Sequence, residues 1–171
     1  MASKEIRAGQ KMAKRLTNSA SKILAGHRTK EQQRTPPTAA SGKMQQSTAG
    51  NRLPTLSVII PLYNHRPYVA AAIRSIINQS YRDLEVIVID DGSTDDSGGV
   101  VQAMMKDDNR IYYYRQDNQG VGMARNRGLQ LARGRFIAWQ DADDLSHHQR
   151  LERQMTFLEQ HPQVAGVTVS Y

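Results

Sequence analysis

The sequence predicts an α/β fold, a mostly parallel sheet flanked by helices on both faces. Short apolar, β-branched runs alternate with segments of helical periodicity in the order βαβαβαβαβ. Those runs are too uniformly apolar for strands of a half-exposed antiparallel sheet, which would alternate apolar and polar residues. Polar clusters follow four of the strand runs, and in parallel sheets the carboxyl ends of the strands are where ligands bind.

Leu56-Ser57-Val58-Ile59-Ile60 is the first strand, stopped by the loop Pro61-Leu62-Tyr63-Asn64. Pro67 suits the first turn of a helix that runs to about Gln79, with Val69, Ile73, Ile76 and Ile77 on one face. Leu84 to Ile89 is the second strand, and Asp90-Asp91-Gly92-Ser93-Thr94-Asp95-Asp96-Ser97 follows it. The next helix carries Val100, Val101, Met104 and Met105 on its apolar side. Ile111 to Tyr114 is the third strand, leading into the polar loop Gln116 to Gly122 and a helix from about Met123 to Ala132 that breaks at Gly134. The fourth strand, Arg135 to Trp139, runs into Gln140-Asp141-Ala142-Asp143-Asp144. Ser146 and Gln149 have capping-box spacing for a helix with Leu151, Met155 and Leu158 as its buried stripe. His161-Pro162 ends that helix, and Val164 to Val169 is a fifth strand, expected at an unfinished sheet edge.

With no cysteine, disulfides and thiolate zinc sites are excluded. No apolar run approaches bilayer-spanning length and no signal-like segment opens the chain, so a cytoplasmic location is the default expectation. Charge divides the chain. Residues 1–52 hold 11 Lys+Arg against Glu5 and Glu31, a net +9, whereas residues 53–171 come to −2. The first segment has no aromatic residue and reads as a disordered basic arm followed by a linker. A thin apolar face formed by Ile6, Ala13, Leu16, Ala20 and Ile23 offers the alternative of a transient amphipathic helix peripheral to an anionic membrane surface, or touching nucleic acid. The mildly acidic remainder argues against nucleic-acid binding by its own surface.

Asp141, Asp143 and Asp144 crowd like charges at a strand exit, which suits a divalent cation that itself holds phosphate; the plainer alternative is a polar turn ahead of a helix. In Asp90 to Asp96 the residue types suit a sharp turn and also hydrogen bonds to a base or ribose. The spacing does not fit an EF-hand, and adjacent aspartates on the second strand fit a haloacid-dehalogenase phosphatase poorly. Gly120 and Gly122 permit close backbone approach to a ligand, though a lone Gly-x-Gly is a weak signal. Arg125 and Arg127 suit phosphate or solvent equally, His147 and His148 read as exposed, and Trp139 reads as core.

Taken together, Val58 to Asn64, Val88 to Asp95, Asn118 to Gly128 and Ala132 to Asp144 resemble, in order and spacing, the family 2 glycosyltransferases. The resemblance covers about residues 55–171 and implies a Rossmann-like GT-A fold that binds a nucleotide-activated sugar, most simply a UDP-sugar, with Mg²⁺ or Mn²⁺. By that analogy Pro61, Tyr63 and Gly120 line the nucleotide pocket, Asp91 contacts the base, Asp141 lies by the ribose, and Asp143 ligates the metal. It also implies a saccharide or lipid acceptor and a carboxylate base lying beyond Tyr171, so the expectation is the donor-binding half of a catalytic domain, incomplete at its C-terminus. A non-catalytic nucleotide-sugar binder or assembly protein, and a nucleic-acid or membrane-surface binder acting through the arm, are the alternatives.

Overall fold

A computed structural model of the chain describes residues 52–168 together with the backbone of residues 23–25. The expected alternation is present. Strands β2 (Leu56–Leu62), β3 (Leu84–Asp91), β4 (Ile111–Gln116) and β5 (Phe136–Trp139) are joined through helices α1 (Arg66–Ile77), α2 (Ser97–Met104) and α3 (Val121–Leu131). Helix α4 (Arg150–Gln160) and the short strand β6 (Gly166–Val167) follow. A further short strand, β1 (Ile23–Ala25), comes from the N-terminal segment.

The sheet order is β4-β3-β2-β5-β1-β6. The pairs β4–β3, β3–β2 and β2–β5 are parallel. Strand β1 lies antiparallel on β5, with Ile23 opposite Ala138, and β6 pairs antiparallel with β1. The segment expected as a disordered arm therefore contributes a strand at Ile23–Ala25. Apart from Arg52, the rest of it, including most of the candidate amphipathic helix, lies outside the described residues, as does Val169 of the expected fifth strand. Among the described residues no helix is long and apolar enough to cross a membrane.

Strand alternation sends side chains to both faces, and both are covered. Leu56, Val58, Ile60 and Leu62 point into the larger core with Val86 and Val88, against Val69, Ile73 and Ile76 of α1 and Leu151 and Met155 of α4. Ile59, Ile87 and Ile89 face the other way, onto Ala124 of α3. Helix α3 approaches β2 closely, because a Cβ on Gly128 would sit 2.4 Å from Ile59 Cγ2. Trp139 packs on this second core, as its apolar character predicts.

At the amino end of the second face a polar pair is buried instead. Ser57 and Glu85 are register partners, and Glu85 is only 2% exposed. Its carboxylate accepts from Ser57 Oγ (2.6 Å), from Arg133 N (2.9 Å) and from Arg133 Nε and Nη2 (2.8 and 2.6 Å). This pins the turn that leads from α3 into β5.

The start of α4 departs from the capping-box expectation. The helix begins at Arg150, and Gln149 caps it without a side-chain bond. Ser146 is taken elsewhere, its hydroxyl donating to Gln140 Oε1 (2.6 Å). A first-turn N–H, that of Leu151, is instead satisfied by Oε1 of the fully buried Gln79 at the end of α1 (3.0 Å).

Candidate functional site

The loops that follow β2, β3, β4 and β5 meet at the carboxyl edge of the parallel strands and enclose a cleft of about 390 Å³. Strand β2 runs on through Pro61 and Leu62, which pair with Ile89 and Asp90, instead of stopping at Pro61. Pro61 therefore comes from the end of β2 and Tyr63 from the loop after it, Asp91 from the end of β3, Gly120 from the loop before α3, and Asp141 and Asp143 from the loop after β5. All six residues singled out in the sequence therefore line one cavity.

Asp90 and Asp91 are adjacent, and strand alternation sends them apart. Asp90 is fully buried beneath the loop. It accepts from Tyr113 Oη (2.5 Å), Arg115 Nη1 (3.1 Å) and the Ser93 N–H (2.8 Å). Burial and the bond to Asp90 raise the pKa of Tyr113. Asp91 faces the cleft, and its two oxygens organise the opposite wall. Oδ1 accepts from Gln116 Nε2 (2.7 Å) and Gln119 N (3.0 Å), and Oδ2 accepts from Gly120 N (2.7 Å). Gly120 holds φ at +87°, a conformation side chains disfavour. A Cβ there would meet nothing within 4 Å, so this stretch of backbone stands bare toward the cleft.

The carboxylate cluster is folded around a residue whose importance the sequence did not announce. Gln140 is 1% exposed, and its Nε2 donates to the carbonyls of Asp144 (2.8 Å) and Asp141 (3.2 Å). Its Oε1 accepts from Ser146 Oγ and from Nη2 of the buried Arg150 (3.2 Å). Around that hub the three carboxylates differ. Asp141 pairs with Arg125 Nη2 at 3.1 Å, while the same guanidinium sits 5.7 Å from the centroid of the Trp139 ring. Asp144 is tucked in, and burial, then the charges of Asp141 and Asp143, raise its pKa. Asp143 is exposed and its carboxylate has no hydrogen bond or ion pair among the described residues.

Other candidates sort plainly. Arg127 does not line the cleft; its guanidinium donates to the Arg115 carbonyl (3.0 Å) and to Gln116 Oε1 (3.4 Å). His147 and His148 are exposed, as expected, and among the described residues no three His, Cys, Asp or Glu side chains converge as a metal cage. Sequence reasoning missed His65, Asn118 and Val121, which also line the cleft. His65 sits between Asn64 and the first turn of α1, so its spacing from Tyr63 was the one available signal.

Comparisons with known proteins agree with this geometry. An uncharacterized glycosyltransferase of Haemophilus influenzae is 40% identical over 107 residues, which are 62% of this chain and 43% of the relative. Staphylococcus aureus TarS, solved in complex with UDP-GlcNAc, superposes with a TM-score of 0.60 at 29% identity, over 63% of this chain and 32% of TarS. The mannosyltransferase PcManGT from Pyrobaculum calidifontis, solved with GDP-Man and Mn²⁺, gives 0.58 at 27% identity, over 63% of this chain and 33% of the enzyme. The chain thus spans less than half the length of each. The model of glycosyl transferase family 2 matches residues 57–171, and with a parallel α/β sheet carrying its strand-end loops into one cleft, the chain belongs to that family.

Proposed function

We propose that the cleft binds a nucleoside-diphosphate sugar, with UDP as the nucleotide, and that the protein transfers the sugar to a hydroxyl of a saccharide or lipid acceptor. The observation that carries this reading is the meeting of Pro61, Tyr63, Asp91, Gly120, Asp141 and Asp143, drawn from the carboxyl ends of four strands and the loops after them, around one cavity. In the transfer the acceptor oxygen bonds the anomeric carbon as the bond to the diphosphate oxygen breaks, and the hydroxyl proton passes to a base on the acceptor side. On the donor side, Pro61 and Tyr63 form the apolar wall against the nucleotide. Asp91 meets the base while holding the Gly120 loop, and Asp141 lies toward the ribose.

The residues also fit a divalent cation. Carboxylates are hard oxygen ligands, Asp143 has no partner of its own among the described residues, and the charges of Asp141 and Asp143 both bear on Asp144, so the loop favours added positive charge. A Mg²⁺ or Mn²⁺ site needs only one or two such groups when phosphate oxygens and water complete the shell. Asp143, with Asp141 beside it, would hold the ion, which when bound supplies positive charge beside the departing diphosphate.

Calorimetry with UDP, GDP and dTDP, each with and without Mn²⁺, tests the proposal. UDP should bind more tightly with Mn²⁺, and Asp143→Asn should abolish that metal dependence. Failure of all three nucleotides to bind would refute the donor reading, and unchanged metal dependence in the variant would refute the role of Asp143. For residues 1–52 the net charge of +9 supports peripheral contact with an anionic membrane surface, checked by salt-sensitive cosedimentation with phosphatidylserine vesicles.

A further inference from the structure

The walls of the cleft are tied together by a residue that does not line it. Asn64 lies between Tyr63 and His65, both of which do. It is the only non-glycine residue with positive φ among the described residues, at +55°. Asn tolerates this left-handed conformation better than most side chains. In that posture its N–H donates to Ser93 Oγ (3.0 Å). Its Oδ1 accepts from the N–H groups of Thr94 (2.7 Å) and Asp95 (3.3 Å), and from Thr94 Oγ1 (3.3 Å). One side chain therefore joins the loop after β2 to the loop after β3.

The other end of this tie is anchored in the protein interior. Ser93 is 2% exposed. Its N–H donates to the fully buried Asp90 (2.8 Å), and its carbonyl accepts from Arg115 Nη2 (2.8 Å). A second tie runs alongside, from the Arg66 N–H at the start of α1 to Asp95 Oδ2 (3.1 Å). The network runs from Tyr113 and Arg115 through Asp90 and Ser93 to Asn64, whose chain neighbour is Tyr63. A residue needed only for the turn would have to supply positive φ and nothing else, and glycine would serve. The acceptor bonds to Thr94 and Asp95 go beyond the turn.

We propose that Asn64 is a positioning residue for the nucleotide cleft, fixing the Pro61–Tyr63 wall against the Asp91 wall through its bonds to Ser93, Thr94 and Asp95. The inference rests on the proposed donor reading, and the experiment separates the two. Asn64→Gly retains the left-handed backbone and the N–H donor to Ser93 but loses Oδ1, whereas Asn64→Asp retains an acceptor oxygen. Each 171-residue variant is compared with wild type for amide hydrogen exchange at Thr94 and Asp95, for UDP affinity with Mn²⁺ by calorimetry, and for its urea midpoint.

In Asn64→Gly, exchange at both amides should be roughly tenfold faster and UDP binding roughly tenfold weaker, the loss expected for one or two net hydrogen bonds. Asn64→Asp should stay within about threefold of wild type in both. Unchanged exchange in the glycine variant overturns the tie itself. Faster exchange with unchanged affinity, or equal loss of affinity in the two variants, overturns the positioning role. Absence of UDP binding by wild type overturns the donor reading and the positioning role with it, and the exchange rates then still show whether the tie exists.

Discussion

Replacing Asp91 by Asn tests the cleft with the smallest change of shape. The carboxylate is 3% exposed and accepts three hydrogen bonds, two at Oδ1 and one at Oδ2. An amide supplies one acceptor oxygen. If it keeps the bonds from Gln116 and Gln119, its NH₂ faces the Gly120 N–H across 2.7 Å, donor against donor. The flipped amide is worse, because it confronts two donors instead of one. At least one backbone N–H in a confined place is left without its acceptor, at a cost of about 1–3 kcal/mol. Taking the middle of that range, about 2 kcal/mol, and charging it to reordering the Gly120 loop on binding, UDP affinity should fall roughly 30-fold. The sign is informative. Removing a negative charge from a cleft that takes an anionic ligand should, by lessened Coulomb repulsion alone, strengthen binding, so a loss points to the hydrogen bonds. Calorimetry with UDP and Mn²⁺, paired with urea midpoints for wild type and Asp91→Asn, is the assay. Affinity within threefold of wild type together with an unchanged midpoint would refute the reasoning.

Arg133→Ala strips two charge-assisted bonds from the buried Glu85 and should cost about 2–3 kcal/mol, below the full penalty of breaking a buried pair because the arginine side chain is 46% exposed; a loss under about 0.5 kcal/mol in urea melts would mean that solvent already screens the pair. Gly128→Ala gains roughly 1 kcal/mol of helix propensity but drives a methyl to within 2.4 Å of Ile59 Cγ2, so a net loss of about 1–2 kcal/mol should appear as a lower urea midpoint. Acid should destabilise through Asp108, whose hydrogen bonds from Arg110, outweighing burial, hold its pKa below the usual carboxylate value. A depressed folded pKa gives stability that is complete above the unfolded value near 4 and is lost as pH falls through the folded one, so Asp108→Asn should narrow the drop in melting temperature between pH 6 and pH 3.

The sheet was legible because burial on both faces leaves a coarse signal. Val58 to Ile60 and Val86 to Ile89 are apolar at every position, which only a covered parallel sheet explains, and the loops between such strands had to emerge at one edge. The cleft followed from that topology without any knowledge of side-chain contacts. What escaped was set by long-range pairing of polar groups. Gln140 and Gln79 look like ordinary surface glutamines in the sequence, yet each is buried and closes bonds to residues brought near only by the fold. Ser146 has the spacing of a cap, but Gln140 competes for its hydroxyl and wins. Ile23–Ala25 fell in a segment whose composition promised no order, and its pairing with β5 depends on an open strand edge that composition does not describe.

The same distinction explains why three carboxylates within four positions do not share one role. Their mutual repulsion is met separately at each position. Asp141 is answered by Arg125, Asp144 by withdrawal from solvent, and Asp143 by nothing among the described residues. Asp143 is therefore free to meet a cation at no cost in broken bonds. Only Oδ1 of Asp141 is engaged, in a pair in which both side chains are 41% exposed, and exposed pairs of that kind contribute about 0–1 kcal/mol. On the proposed donor reading, Asp141 could join Asp143 at a cation through Oδ2 and leave the Arg125 pair in place. The ion pair is thus a weak restraint on the site and does not set Asp141 against Asp143.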